Sequence, residues 1–311
     1  MNHPVIAGLI ASTVFVGAFM FNKNDIYNYI ERGHLEDGGY FFARIPPASG
    51  LDTYLAVKTL KILGLSPKEP AKIINFWQNE EHNGNIDDLN GLFYAIQTYK
   101  ELGYPFQHFK KYRKALSSIY RGQEWYQKNP IYLRKKKINL ANEDIATLYT
   151  DIVESEAKSA LYLTVLTNDL GVTIDQKRLI NYVESLQNDD GGFGSIKESE
   201  LSTTYYCLRI LNLIGYPFPR EKEIEQFLVE QFQAANYLEQ YYWTIEGLVL
   251  LKREIPDKNL ILAFLVASYC WNGGFARSQF IGIPTIEYTY YAVSILKYLE
   301  KQHIPLFNNK L

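Results

Sequence analysis

A repeated pattern constrains this chain more than any other feature. Gly38-Gly39-Tyr40 precedes an apolar stretch opening Leu51-Asp52-Thr53-Tyr54-Leu55; Gly191-Gly192-Phe193 precedes Thr203-Thr204-Tyr205-Tyr206-Cys207-Leu208; Gly273-Gly274-Phe275 precedes Tyr288-Thr289-Tyr290-Tyr291-Ala292-Val293. Each copy runs from an amphipathic stretch through a Gly-Gly-aromatic loop into an apolar one, and stops at a turn such as Leu63-Gly64 or Ile214-Gly215. That order reads as helix, loop, helix, stop. Weaker copies fill the gaps between these three, around Trp77 to Gly103, about 131–170 and about 224–256, giving six helical hairpins.

The spacing predicts outer helices near 24–34, 68–79, 107–127, 175–187, 220–233 and 257–270, and inner helices near 51–63, 88–102, 145–168, 201–214, 239–252 and 286–300. A hairpin of this kind cannot bury its apolar inner helix alone, so the copies must pack side by side, and six of them can close a ring. The inner helices are the more apolar, as an inner barrel under a water-facing outer layer requires. No run alternates polar and apolar residues between turn signals, so no sheet is expected. The predicted fold is therefore all-α: an α/α toroid, or α6/α6 barrel, in one domain over residues 24–311, preceded by an apolar N-terminal helix within residues 1–23.

Charge and cysteine content narrow the function classes. With 32 Lys+Arg against 34 Asp+Glu the net charge is −2, which removes the global attraction that nucleic-acid binders use. Cys207 and Cys270 form no CxxC pair and no disulfide framework, which fits a reducing, cytoplasmic setting. Pro4 to Phe21 is uncharged and sits at the lower edge of bilayer-spanning length. It reads either as a helix packed on the barrel or as a membrane or interfacial anchor. A signal peptide is disfavoured by the absence of Lys or Arg in Met1-Asn2-His3. If the run is an anchor, Arg134-Lys135-Lys136-Lys137 and the group Lys110, Lys111, Arg113 and Lys114 become docking cations for a membrane surface; otherwise they are a solvated face.

The repeats resemble those of the prenyltransferase and squalene-cyclase family, whose hallmark is an outer helix ending in Gln-x-x-Asp-Gly-Gly-Phe. Gln187-Asn188-Asp189-Asp190-Gly191-Gly192-Phe193-Gly194 follows it closely, and the likeness extends over nearly the whole chain after residue 24. The resemblance implies a toroid with a central cavity, shared by protein prenyltransferase β subunits, class II terpene cyclases and some non-enzymatic binders. It therefore implies an isoprenoid or other apolar small molecule as ligand, and a second protein subunit among the partners. Fold speaks less firmly for a reaction than for an architecture.

Candidate residues follow from both lines. The aromatics Tyr54, Phe93, Tyr94, Tyr149, Tyr205, Tyr206, Tyr241, Tyr242, Trp243, Tyr288, Tyr290 and Tyr291 fall in the first halves of inner helices. They either line a pocket for a polyene or fill the core. Arg44 and Arg277 follow two of the Gly-Gly loops and either face a diphosphate at the mouth or stand as solvated loop cations. Asn85-Ile86-Asp87-Asp88 resembles the cyclase motif Asp-x-Asp-Asp, which would make Asp87 a proton donor to an alkene with Asp88 its neighbour; Asn85 breaks the pattern, and helix capping explains adjacent aspartates equally. The zinc of protein prenyltransferases, held in that family by Asp, Cys and His, would fall at Glu239, Tyr241 and Tyr288, of which only the first can bind metal. No metal and no cofactor are expected. Non-catalytic binding of a protein or peptide on the rim is the contrary expectation.

Overall fold

The computed structural model describes residues 21–121, 143–195, 198–302 and 306–308. Twelve α-helices lie among them: α1 (Lys23–Glu31), α2 (Gly50–Leu63), α3 (Pro70–His82), α4 (Leu89–Leu102), α5 (Arg113–Arg121), α6 (Glu143–Leu170), α7 (Gln176–Ser185), α8 (Leu201–Leu213), α9 (Glu221–Ala234), α10 (Leu238–Leu250), α11 (Lys258–Ser268) and α12 (Ile286–Lys301). A 3-10 turn at Gln107–Tyr112 leads into α5. Odd-numbered helices form the outer layer and even-numbered ones the inner barrel. Neighbouring inner helices touch in the cyclic order α2, α4, α6, α8, α10, α12 and back to α2, so the ring closes. The predicted all-α toroid of six hairpins is what the chain forms.

Helix limits follow local chemistry. Ser49, Asp88 and Thr285 cap α2, α4 and α12 by accepting from the backbone N–H three residues on. Gly64 and Gly103 end α2 and α4 in the left-handed region, where a side chain is disfavoured. Between the layers, Ala56, Leu60, Ile96, Leu208, Ile245 and Leu296 are fully buried.

The Gly-Gly-aromatic loops fasten each hairpin to the next. The N–H groups of Tyr40, Phe193 and Phe275 donate to Thr53, Thr204 and Thr289 at 2.9, 2.9 and 3.1 Å, pinning each loop to its own inner helix. The first glycine of each loop lies against backbone of the following outer helix: Gly38 on Lys72, Gly191 on Glu223, and Gly273 on Asp25. With φ near +90° and no room for a Cβ, only glycine fits there. The last of these contacts joins the sixth hairpin to the first.

Four two-residue strands depart from the sheet-free expectation: β1 (Phe21–Asn22), β2 (Gly194–Ser195), β3 (Glu198–Ser199) and β4 (Phe307–Asn308). They are too short to show as an alternating pattern. β1 pairs in parallel with β4, tying the two ends of the described chain together, and the buried Phe21 ring sits 5.4 Å from Tyr269 and 5.6 Å from Phe275. The apolar run from Pro4, up to residue 20, and the cluster Arg134 to Lys137 lie outside the described residues. Among the described residues no helix is long and apolar enough to cross a membrane.

Candidate functional site

A cavity of about 260 Å³ occupies the barrel axis and takes lining residues from all six inner helices. Its wall is a consequence of helical spacing, since positions i, i+3, i+4 and i+7 share one face. On α2 these are Leu51, Tyr54, Leu55 and Lys58, all of which line the cavity. Counting back from the glycine turns at Gly64, Gly103, Gly171 and Gly215 places the corresponding steps on α4, α6 and α8.

The two middle steps form a double tier of rings. Tyr54, Phe93, Leu161, Tyr205, Tyr242 and Tyr290 make the deeper tier, buried on every helix. Leu55, Tyr162, Tyr206, Trp243 and Tyr291, each the next residue along its helix, make the second tier, in which Tyr206, Trp243 and Tyr291 are half-buried. Phe93 and Tyr162 stack at 3.8 Å, and Tyr242 stacks on Tyr291 at 4.5 Å. Such pairs hold the wall rigid beyond what burial alone supplies. The rings therefore both fill part of the core and leave a hollow.

Polar groups bracket the tiers. Toward the N-terminal ends, Glu287 accepts from Tyr291 at 2.6 Å. At the deep end, Lys58 donates to the Tyr54 hydroxyl at 2.8 Å and Arg209 to that of Tyr205 at 3.2 Å. The Tyr205, Tyr242 and Tyr290 hydroxyls are linked at 3.3 and 3.1 Å. Burial pushes the Tyr54 and Tyr242 hydroxyls above their ordinary range and that of Tyr205 up to about 12, so these three stay neutral. Arg209 lies 3.8 Å from Glu246, which also accepts from Tyr298 at 2.9 Å and closes the floor.

Eight of the twelve aromatics singled out in the sequence line this cavity: Tyr54, Phe93, Tyr205, Tyr206, Tyr242, Trp243, Tyr290 and Tyr291. Three do not. Tyr94 sits beside it, stacked on Tyr54 at 5.9 Å. Tyr241 turns outward against Phe232 and Phe264, because it falls one helical step off the lining face. Tyr288 lies near Glu239 and Arg277 at the start of α12. The side chain of Tyr149 is outside the described set.

Charged candidates are also placed elsewhere. Arg277 donates to Glu239 at 2.6 Å and stacks 4.1 Å over Tyr237, so its charge is already matched. Arg44 is an exposed loop residue. Asp87 and Asp88 are exposed too; Asp88 caps α4 at 2.6 Å from the Gly91 N–H, and Asp87 accepts from Tyr112 at 3.2 Å. Neither touches the cavity, and the dry setting that alkene protonation needs is missing around them. Cys207 is fully buried, and burial raises its thiol pKa, as packing demands. Among the described residues no group of three His, Cys, Asp or Glu side chains could hold a metal ion. Of the basic group at 110–114, Lys111 pairs with Glu81 at 2.7 Å and Arg113 donates to the Gly171 carbonyl.

Sequence reasoning missed Lys58, Lys158, Arg209, Glu246 and Glu287. The signal was present: Lys58, Arg209 and Glu246 each follow a tier tyrosine by four positions inside an apolar helix.

These features define a helical toroid with an aromatic-walled axial cavity. A family model of the prenyltransferase alpha-alpha toroid domain matches residues 17–233 and 221–310, and the chain belongs to that family. Among solved structures it is similar to one described as Candida albicans protein geranylgeranyltransferase-I complexed with GGPP, at 15% identity and a TM-score of 0.65, covering 91% of this chain and 92% of that one. No curated protein matches the chain in sequence.

Proposed function

We propose that this protein binds a slim isoprenoid chain along the barrel axis, between the two tiers of rings. The observation that carries the reading is the hollow itself: nine aromatic lining residues surround it, and cavities walled by rings with a few placed polar groups are typical small-molecule sites. The similar geranylgeranyltransferase-I is described in complex with an isoprenoid diphosphate, GGPP, which supports the same class of ligand here. At about 260 Å³ the space lies just under the roughly 300–1,000 Å³ of most ligand pockets, so it favours a short or extended chain over a bulky one.

Titration of the full chain with farnesol, followed by tryptophan fluorescence from Trp243 in the wall, tests the reading. Saturable quenching is expected, and Leu161→Trp, which puts a ring at the one aliphatic position of the deeper tier, should abolish it at a stability cost of about 1–3 kcal/mol. Unchanged quenching in a folded Leu161→Trp protein would place the ligand elsewhere. Product analysis after incubation with farnesyl diphosphate reports separately on any turnover.

A second reading, docking of a protein subunit on the rim, is favoured by Ile45, Phe280, Ile281 and Ile283, which are exposed on the two loops that precede α2 and α12. It predicts no binding of farnesol by the chain alone.

A further inference from the structure

The deep end of the cavity carries more positive charge than its surroundings answer. Lys58 and Arg209 line it, with Glu246 alone among the described carboxylates beside them, 3.8 Å from Arg209; Lys158 and Glu287 stand toward the N-terminal ends, one turn before Tyr162 and Tyr291. Lys58 and Arg209 lie far inside the barrel, close enough for their charges to oppose each other, and their accessible surface opens into the cavity. Among the described residues no carboxylate reaches Lys58: its ammonium has the Tyr54 hydroxyl at 2.8 Å and the faces of Tyr54 and Tyr290 at 5.2 and 5.1 Å. An ammonium offers three donors, and one is used here. Burying cations without counter-charge is costly unless something answers them. The neutral tyrosines supply hydroxyls but no charge.

We propose that the ligand of this cavity is an amphiphile with an anionic terminus, a phosphate or carboxylate, held at the deep end by Lys58 and Arg209 with its apolar chain running out through the rings. Four tyrosine hydroxyls, those of Tyr54, Tyr205, Tyr242 and Tyr290, stand within this polar belt to donate further hydrogen bonds. The two arginines of the rim are poor alternatives. Arg277 is neutralised by Glu239, and Arg44 is exposed away from the hollow. This assignment rests on the cavity being the binding site and adds which end of the ligand goes in first.

The test compares farnesyl diphosphate, farnesoic acid and farnesol as probes of the full chain. Wild type should bind both anions more tightly than the alcohol. Lys58→Met should weaken the anions roughly tenfold or more, the effect of losing one charge-assisted hydrogen bond, while leaving farnesol unchanged; Lys58→Gln serves where the methionine variant does not fold. An anionic probe that binds wild type no better than farnesol overturns the proposal, as does anion binding indifferent to Lys58 but weakened by Arg277→Gln. In both of those outcomes farnesol still binds, so the isoprenoid reading survives; failure of all three probes removes both.

Discussion

Asp52 shows how a single residue couples the rim to stability. Its carboxylate accepts from the Phe42 N–H at 3.1 Å, yet burial raises its pKa from 3.8 to about 6, outweighing that hydrogen bond, and Glu287 adds like-charge repulsion. The native state therefore holds this proton more tightly than the unfolded chain does. Stability from this group is present below the unfolded pKa and is lost as pH rises through the folded value, by at most about 3 kcal/mol. Asp52→Asn keeps the acceptor and removes the charge, so the variant should gain on wild type between pH 4 and pH 7.5 in urea unfolding. A gain of equal size at both pH values would show that Asp52 is not the titrating group. At this scale the sequence was only half legible. Tyr54 and Trp243 could be placed on the lining face from helical spacing, but Tyr241, one step away, could not be separated from Tyr242, because adjacent rings in an apolar helix look alike until the neighbours they pack against are known.

The elements were far more legible than the side chains. Each hairpin has an apolar inner helix, a glycine loop with one available conformation, and a polar cap, and these agree with one another, which is what makes a repeat readable. The pair Asp87 and Asp88 shows where that legibility ends: a capping aspartate and an acid catalyst have the same spelling, and only exposure distinguishes them. With Asp88 at the N-terminus of α4, Asp88→Ala should lower stability by about 1 kcal/mol, read as a fall in Tm, and leave farnesol affinity as it was. Loss of ligand binding in the folded variant would return Asp88 to the site. The short strands and the 3-10 turn were illegible for another reason: two-residue pairings depend on where distant loops meet, not on local pattern.

Closure is a property of the whole molecule, and it makes a prediction that no open array of the same hairpins would share. In a solenoid the end repeats have one neighbour each, and a loop at the last repeat faces solvent. Here the loop of the sixth hairpin packs on α1 as the loop of the first packs on α3, with Gly273 against the Asp25 backbone and Gly38 against that of Lys72. Both glycines have φ of 94°. Gly273→Ala and Gly38→Ala should therefore destabilise to similar extents, each by more than the roughly 0.4–1 kcal/mol that an unstrained glycine replacement would add in stability. Phe21→Ala, which empties a ring-lined site on the same seam, should cost about 3–5 kcal/mol. Because every hairpin has two neighbours, urea unfolding of all three variants should remain a single transition when followed by helical signal and by tryptophan fluorescence. If Gly273→Ala is silent while Gly38→Ala is not, or if either seam variant splits the transition, the ring is open in solution and the axial cavity loses the wall that makes it a site.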